Sequence, residues 1–196
     1  ITSKIYNFNS KTVIPNFLDK QFENLKISYK RKQIIVWAVS RDRGLIETIN
    51  LWKKRIFPKF PKAEFHIFGN IISEKKKFEK YNIHLHKRVN KNVLINYYKK
   101  SICSICLGYD ETFCLNAIES MSCGTPVLSF KMTALDSLII NNVNGFKVDN
   151  FNELGNKIEI LIKNKKRLKL IQKTLIFSKK YYFKKIQPKW INKISK

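Results

Sequence analysis

Short, unbroken apolar runs separated by stretches of helical spacing dominate this chain and limit the folds open to it. Gln33 to Val39 is rich in β-branched residues, and Glu64–Phe68, Ile83–Leu85, Ile102–Leu107, Pro126–Phe130 and Gly145–Val148 follow as further strand candidates. Between them, Leu45, Ile49, Trp52 and Ile56 recur at helical spacing, as do Val93, Leu94, Tyr97 and Tyr98, and residues 113–122 form a short amphipathic run. From Leu154 onward the chain reads as helical, with Ile158, Leu161, Ile162, Leu168, Ile171 and Leu175 on one stripe. Strands that are apolar throughout, rather than alternating, are buried on both faces. Alternation of such strands with helices predicts an α/β, Rossmann-like parallel sheet with helices on both sides, and ligand binding at the carboxyl ends of its strands.

Within that plan, residues 110–128 carry the chemistry. Glu111 and Glu119 stand eight positions apart, flanking a strand-to-helix junction, with Glu119 about two turns inside the expected helix. Along a helix this separation is roughly 9–12 Å at 1.5 Å per residue. The helix N-terminus between them, with N–H groups at Phe113, Cys114 and Leu115, is a place for an anion. Two carboxylates that take hydroxyls, on either side of a phosphate-binding helix end, suit a nucleotide-sugar.

The segment Glu111-x7-Glu119 followed by Ser120-Met-Ser-Cys-Gly-Thr-Pro-Val127 resembles the donor-binding half of GT-B glycosyltransferases, specifically glycosyltransferase family 4. Val13-Ile-Pro-Asn-Phe-Leu-Asp19, Ser40-Arg-Asp-Arg-Gly-Leu45 and Phe60 to Gly69 resemble further segments of that family, in its order. The resemblance covers about residue 12 to residue 192. It implies a glycosyltransferase of hexosyltransferase type that uses a nucleoside-diphosphate sugar, with retention of configuration and without a metal or other cofactor. Carried over residue by residue, it makes Glu111 and Arg43 catalytic, the first on donor-sugar hydroxyls and the second on the diphosphate. Glu119 would take the ribose hydroxyls, and Arg41, Thr112, Phe113, Cys114 and Leu115 would complete the donor site. Arg41 and Arg43 are closer together than the family's usual basic pair. In Leu85-His-Lys-Arg-Val89 relatives commonly have Gly before the Val, which makes Lys87 and Arg88 candidate nucleotide contacts, and Asn116 replaces a common Pro. On this reading residues 1–176 form the nucleotide-sugar domain. Residues 177–196 form a helical tail, with Tyr181, Tyr182, Phe183, Trp190 and a kinking Pro188, that packs on an N-terminal acceptor domain preceding Ile1. The chain alone is expected to bind donor without transferring sugar.

The net charge of +25 invites a nucleic-acid or anionic-membrane partner, but of the 39 basic residues 33 are Lys and 6 Arg, scattered along the chain. Phosphate forks favour Arg, so solvated Lys faces are the main expectation. Peripheral contact with the inner face of a membrane comes second and nucleic acid last. The alternative function is a non-catalytic basic module for anionic lipid or nucleic acid, derived from such a domain. No apolar run reaches the roughly 18–20 residues of a membrane span. Cys103, Cys106, Cys114 and Cys123 lack the second pair or His spacing of a zinc site and read as core thiols in a reducing cytoplasm. His84 and His86 share a strand face, but with no third ligand legible, they and His66 read as satisfied or exposed imidazoles.

Overall fold

A computed structural model describes residues 14–39, 44–69, 75–107, 113–131, 134–164 and 167–194. Six strands form one sheet, all parallel: β1 (Ile34–Trp37), β2 (Glu64–Phe68), β3 (Ile83–His86), β4 (Cys103–Ile105), β5 (Val127–Phe130) and β6 (Gly145–Val148), in the order β3-β2-β1-β4-β5-β6. This is the Rossmann-like architecture expected from the alternation. β1, β4 and β5 are buried at every position, as strands covered on both faces must be, while edge strand β3 alternates buried and half-buried residues. The order reverses between β1 and β4, so the crevice beyond their carboxyl ends is the switch point at which such sheets take ligands.

Between strands run α1 (Leu45–Leu51), α2 (Phe57–Lys59), α3 (Lys75–Glu79), α4 (Lys91–Lys100) and α5 (Leu115–Ser122). The chain continues from α1 to α2 through a π-helical segment, Trp52–Ile56. There Phe57 N–H reaches back to the Trp52 carbonyl, next to Pro58, which has no N–H to donate. Trp52 is fully buried against the Phe65 ring, and its indole N–H donates to the Tyr81 carbonyl at 2.8 Å. α6 (Phe151–Lys163), α7 (Leu168–Ser178) and α8 (Phe183–Ile194) form the helical C-terminal third. Gly145 opens β6 because a Cβ there would stand 2.0 Å from the Val127 carbonyl oxygen on β5.

α8 runs through Pro188. Ahead of it, Tyr181 and Tyr182 are buried and bridge to the N-terminal segment: Leu18 N–H donates to the Tyr181 carbonyl at 2.8 Å, and Phe183 meets Phe17 edge-on at 4.9 Å. Three of the four aromatics singled out in the tail therefore pack on this chain, leaving Trp190 and Ile191 exposed. Among the described residues no helix is long and apolar enough to cross a membrane.

Candidate functional site

The Gly-Thr-Pro turn after α5 is held by Arg31, whose guanidinium donates to the carbonyls of Tyr98 (2.9 Å) and Cys123 (2.9 Å) and to Thr125 Oγ1 (3.1 Å). Burial pushes that guanidinium down to about 10, still fully charged at neutral pH. Inside the same corner, Ser104 and Ser120 hydroxyls meet at 2.7 Å and Ser120 Oγ donates to the Thr125 carbonyl at 2.9 Å. These bonds fix α5 against β4. Arg31 carries no motif and was not singled out from sequence; its 67- to 94-residue separations from its partners exist only in the fold.

α5 begins at Leu115, with Cys114 as an N-cap that makes no side-chain hydrogen bond. This corrects the sequence expectation in two ways. Phe113 lies ahead of the helix, its ring edge-on to Tyr181 at 5.7 Å, so the N-terminal turn is built on Leu115 and Asn116 rather than on Phe113 and Cys114. Glu119 is then about one turn inside α5, not two. The cause is local: Cys114 is buried in a non-helical conformation, which delays the helix. Leu115 is exposed at the mouth. Asn116 Nδ2 donates to the Ala38 carbonyl at 2.7 Å, tying the first turn of α5 to the end of β1 across the switch point.

A cleft of about 960 Å³ opens there, lined by Ala38 and Val39 after β1, Phe68 and Gly69 at the end of β2, Arg88 and Val89 after β3, and Asn116. Arg88 lines this cleft and Lys87 does not. A second hollow of about 430 Å³, lined by Phe17, Asp19, Leu115, Glu119 and Phe183, adjoins it, and Lys91 borders both. Asn90 caps α4 by accepting from Val93 N–H at 3.0 Å, which sets Lys91 at the head of the helix. Lys91 Nζ donates to Glu119 Oε1 and lies 5.7 Å from the Phe22 ring centroid. Glu119 is 3% exposed, and its Oε2 has no hydrogen-bond partner among the described residues. A buried carboxylate oxygen left without a donor is costly, and a ligand hydroxyl entering this corner would satisfy it. Arg41, Arg43, Glu111 and Thr112 lie outside the described residues.

The glycosyl transferases group 1 family model matches residues 19–175. The chain belongs to that family. The group 1 assignment accounts for the whole sheet, from the segment before β1 to the middle of α7. Over 59 residues, 30% of this chain and 14% of the relative, the sequence is 36% identical to D-inositol 3-phosphate glycosyltransferase of Nocardiopsis dassonvillei. The solved structure of TarM superposes with a TM-score of 0.75 at 21% identity, covering 95% of this chain and 40% of TarM. The C-terminal domain of the group 1 protein LpcC from Francisella tularensis superposes with a TM-score of 0.61 at 18% identity, covering 86% of this chain and 95% of that one. The fold is that of GT-B glycosyltransferase structures, and the chain spans well under half the length of TarM.

The thiols sit in the core, as the sequence reading expects, all four buried; burial pushes Cys103 and Cys123 up to about 12. The histidines do not stay separate. His66 on β2 pairs in register with His84 on β3, and its ring stacks on those of His84 (4.6 Å) and His86 (5.2 Å). His66 Nε2 lies 2.8 Å from Glu64 Oε2 and its Nδ1 2.9 Å from His86 Nε2. Burial pushes His66 down to about 4; the bond to Glu64 opposes this, and the neighbouring His84 and His86 reinforce it. The sequence offered His84 and His86 as the pair to consider. The fold adds His66 and Glu64 through the β2–β3 register, which no local spacing reveals.

Proposed function

We propose that this chain is the donor-binding half of a glycosyltransferase that moves a sugar from a nucleoside-diphosphate sugar to an acceptor. The observation that carries the reading is Glu119 Oε2, buried beside the switch-point cleft without a donor of its own. A ribose hydroxyl supplies that donor. Lys91, paired with Oε1, holds the carboxylate in place. The first turn of α5 and Arg43, with Arg41 beside it, take the diphosphate. Glu111 takes the donor-sugar hydroxyls at the reacting end. As the glycosidic bond breaks, the departing nucleoside diphosphate gains negative charge, which a guanidinium and helix N–H groups aimed at it stabilise. No metal enters this step. Retention of configuration rests on the family likeness alone and is read from the product anomer. One TarM structure contains UDP together with a GlcNAc-glycerol, which supports a uridine nucleotide as the first donor to try.

The test is calorimetry of UDP, GDP and ADP against the wild type and Glu119→Ala. The variant should lose roughly 1.5–3 kcal/mol of nucleoside diphosphate binding, the range for hydrogen bonds to charged groups. Unchanged affinity with the fold intact rejects the assignment. Because the chain spans 40% of TarM, the acceptor half is proposed to lie in another domain, with exposed Trp190 and Ile191 facing it. Residues 1–196 alone should then bind donor and transfer no sugar; turnover without added protein refutes that division.

A further inference from the structure

We propose a transition-metal site at the β2–β3 edge of the sheet, in which Glu64, His66 and His84 bind one zinc-like divalent cation. One ligand atom from each residue lies within 4.8 Å of the others. Modest side-chain rotation brings these to the roughly 3.4 Å spacing of tetrahedral ligands about 2.1 Å from an ion, opening the Glu64–His66 contact slightly and closing the wider ones. The backbone already does the harder part. Glu64 and His66 are two apart on β2 and so share a face, and parallel register sets His84 directly opposite His66. His66 is buried, and its Nε2 and Glu64 Oε2, two good ligand atoms, already face each other at 2.8 Å. A divalent ion entering between them takes the place of the proton in that contact.

The surroundings fit the same reading. With the ion on Nε2, His66 carries its proton on Nδ1 and donates it to His86 Nε2, already 2.9 Å away. That leaves His86 in its other neutral tautomer. This is the outer bond that orients metal-bound imidazoles. Tyr97 from α4 packs its ring 4.8 Å from His66 and 5.3 Å from His86, restricting both. One carboxylate and two imidazoles leave a fourth position for water, a donor set suited to zinc, cobalt or nickel rather than to calcium or magnesium. Bound there, the ion would join edge strand β3 to β2 and stabilise that side of the sheet.

The experiment uses tag-free, chelator-stripped protein titrated with Zn²⁺ by calorimetry, in parallel with His84→Ala and Glu64→Gln. Expected are one equivalent of Zn²⁺, a higher Tm in its presence, and at least tenfold weaker binding in both variants. Metal-free Tm values confirm that each variant folds. Co²⁺ should give a visible absorption spectrum without thiolate charge transfer. Absence of one-equivalent binding overturns the proposal. So does affinity unchanged in both variants, or a Co²⁺–thiolate band that moves the ion to the cysteines. None of these outcomes bears on Glu119 or UDP, so the donor-site reading stands or falls separately.

Discussion

Glu119 at the switch point and His66 on the opposite wing of the sheet are buried almost equally, 3% and 5% exposed, yet their polar atoms are treated differently. Both ring nitrogens of His66 meet partners within the sheet, Glu64 and His86. Glu119 has one oxygen on Lys91 and one with no partner among the described residues. A satisfied buried group belongs to the scaffold's own stability, whereas an unsatisfied one costs stability until something binds. Burial therefore does not set what a ligand must do here. At Glu119 a hydroxyl adds the hydrogen bond that is missing, whereas at His66 a cation has to displace the proton in the contact with Glu64.

The largest expected effect breaks the comparison on the Glu119 side. Glu119→Ala removes an oxygen that the free protein leaves unpaired, and it releases a Lys91 side chain that is 42% exposed and can solvate itself. Its urea midpoint should therefore move by no more than about 1 kcal/mol of stability, less than truncating a fully satisfied buried group. The same variant should lose roughly 1.5–3 kcal/mol of UDP binding, about tenfold to a hundredfold or more in Kd. A variant that loses stability heavily while binding UDP normally would make Glu119 a scaffold residue.

On the other side, the comparison predicts a pH dependence. The unfolded His66 titrates near 6.5 and the folded one near 4, so between those values the unfolded chain binds more protons. The stability associated with neutral His66 is fully present above about pH 6.5 and is lost as pH falls through 4. The groups facing it are Glu64, His84, His86 and Tyr97. Because burial and the neighbouring groups set the His66 shift jointly, about 2 kcal/mol of it is expected. Urea melts in EDTA at pH 7, 5.5 and 4.5 measure it, and His66→Gln should flatten the slope; an equal slope in wild type and variant assigns the acid sensitivity elsewhere.

These two regions were not equally legible in the sequence. The strands were, because runs such as Ile34–Trp37 and Val127–Phe130 are apolar at every position, which only burial on both faces explains. Glu119 was legible through a motif, since Cys-Gly-Thr-Pro after the helix fixes where the carboxylate falls. The onset of its helix was not, because Cys114 takes a backbone conformation that composition does not announce. Lys91 was missed altogether. As one of 33 lysines it carries no local signal, and its pairing with Glu119 spans 28 residues. Arg31 escaped for the same reason, and Glu64 joined the histidines only once β2 and β3 had a register.

Lys91 gives the smallest effect and the sharpest test of what supports Glu119 in the absence of ligand. Lys91→Met keeps the aliphatic stem beside Phe22 but removes the cation from Glu119 Oε1. Breaking a fully buried pair costs about 3–5 kcal/mol. Here one partner is nearly half exposed and water can reach the vacated position, so about 1 kcal/mol is expected. In Lys91→Met/Glu119→Gln no charge is left to compensate, and most of that loss should return. A double-mutant cycle by urea denaturation reads the coupling directly. Additive losses would show that Lys91 and Glu119 do not support each other. Lys91 would then be another solvated lysine, and the ion pair an accident of its long side chain.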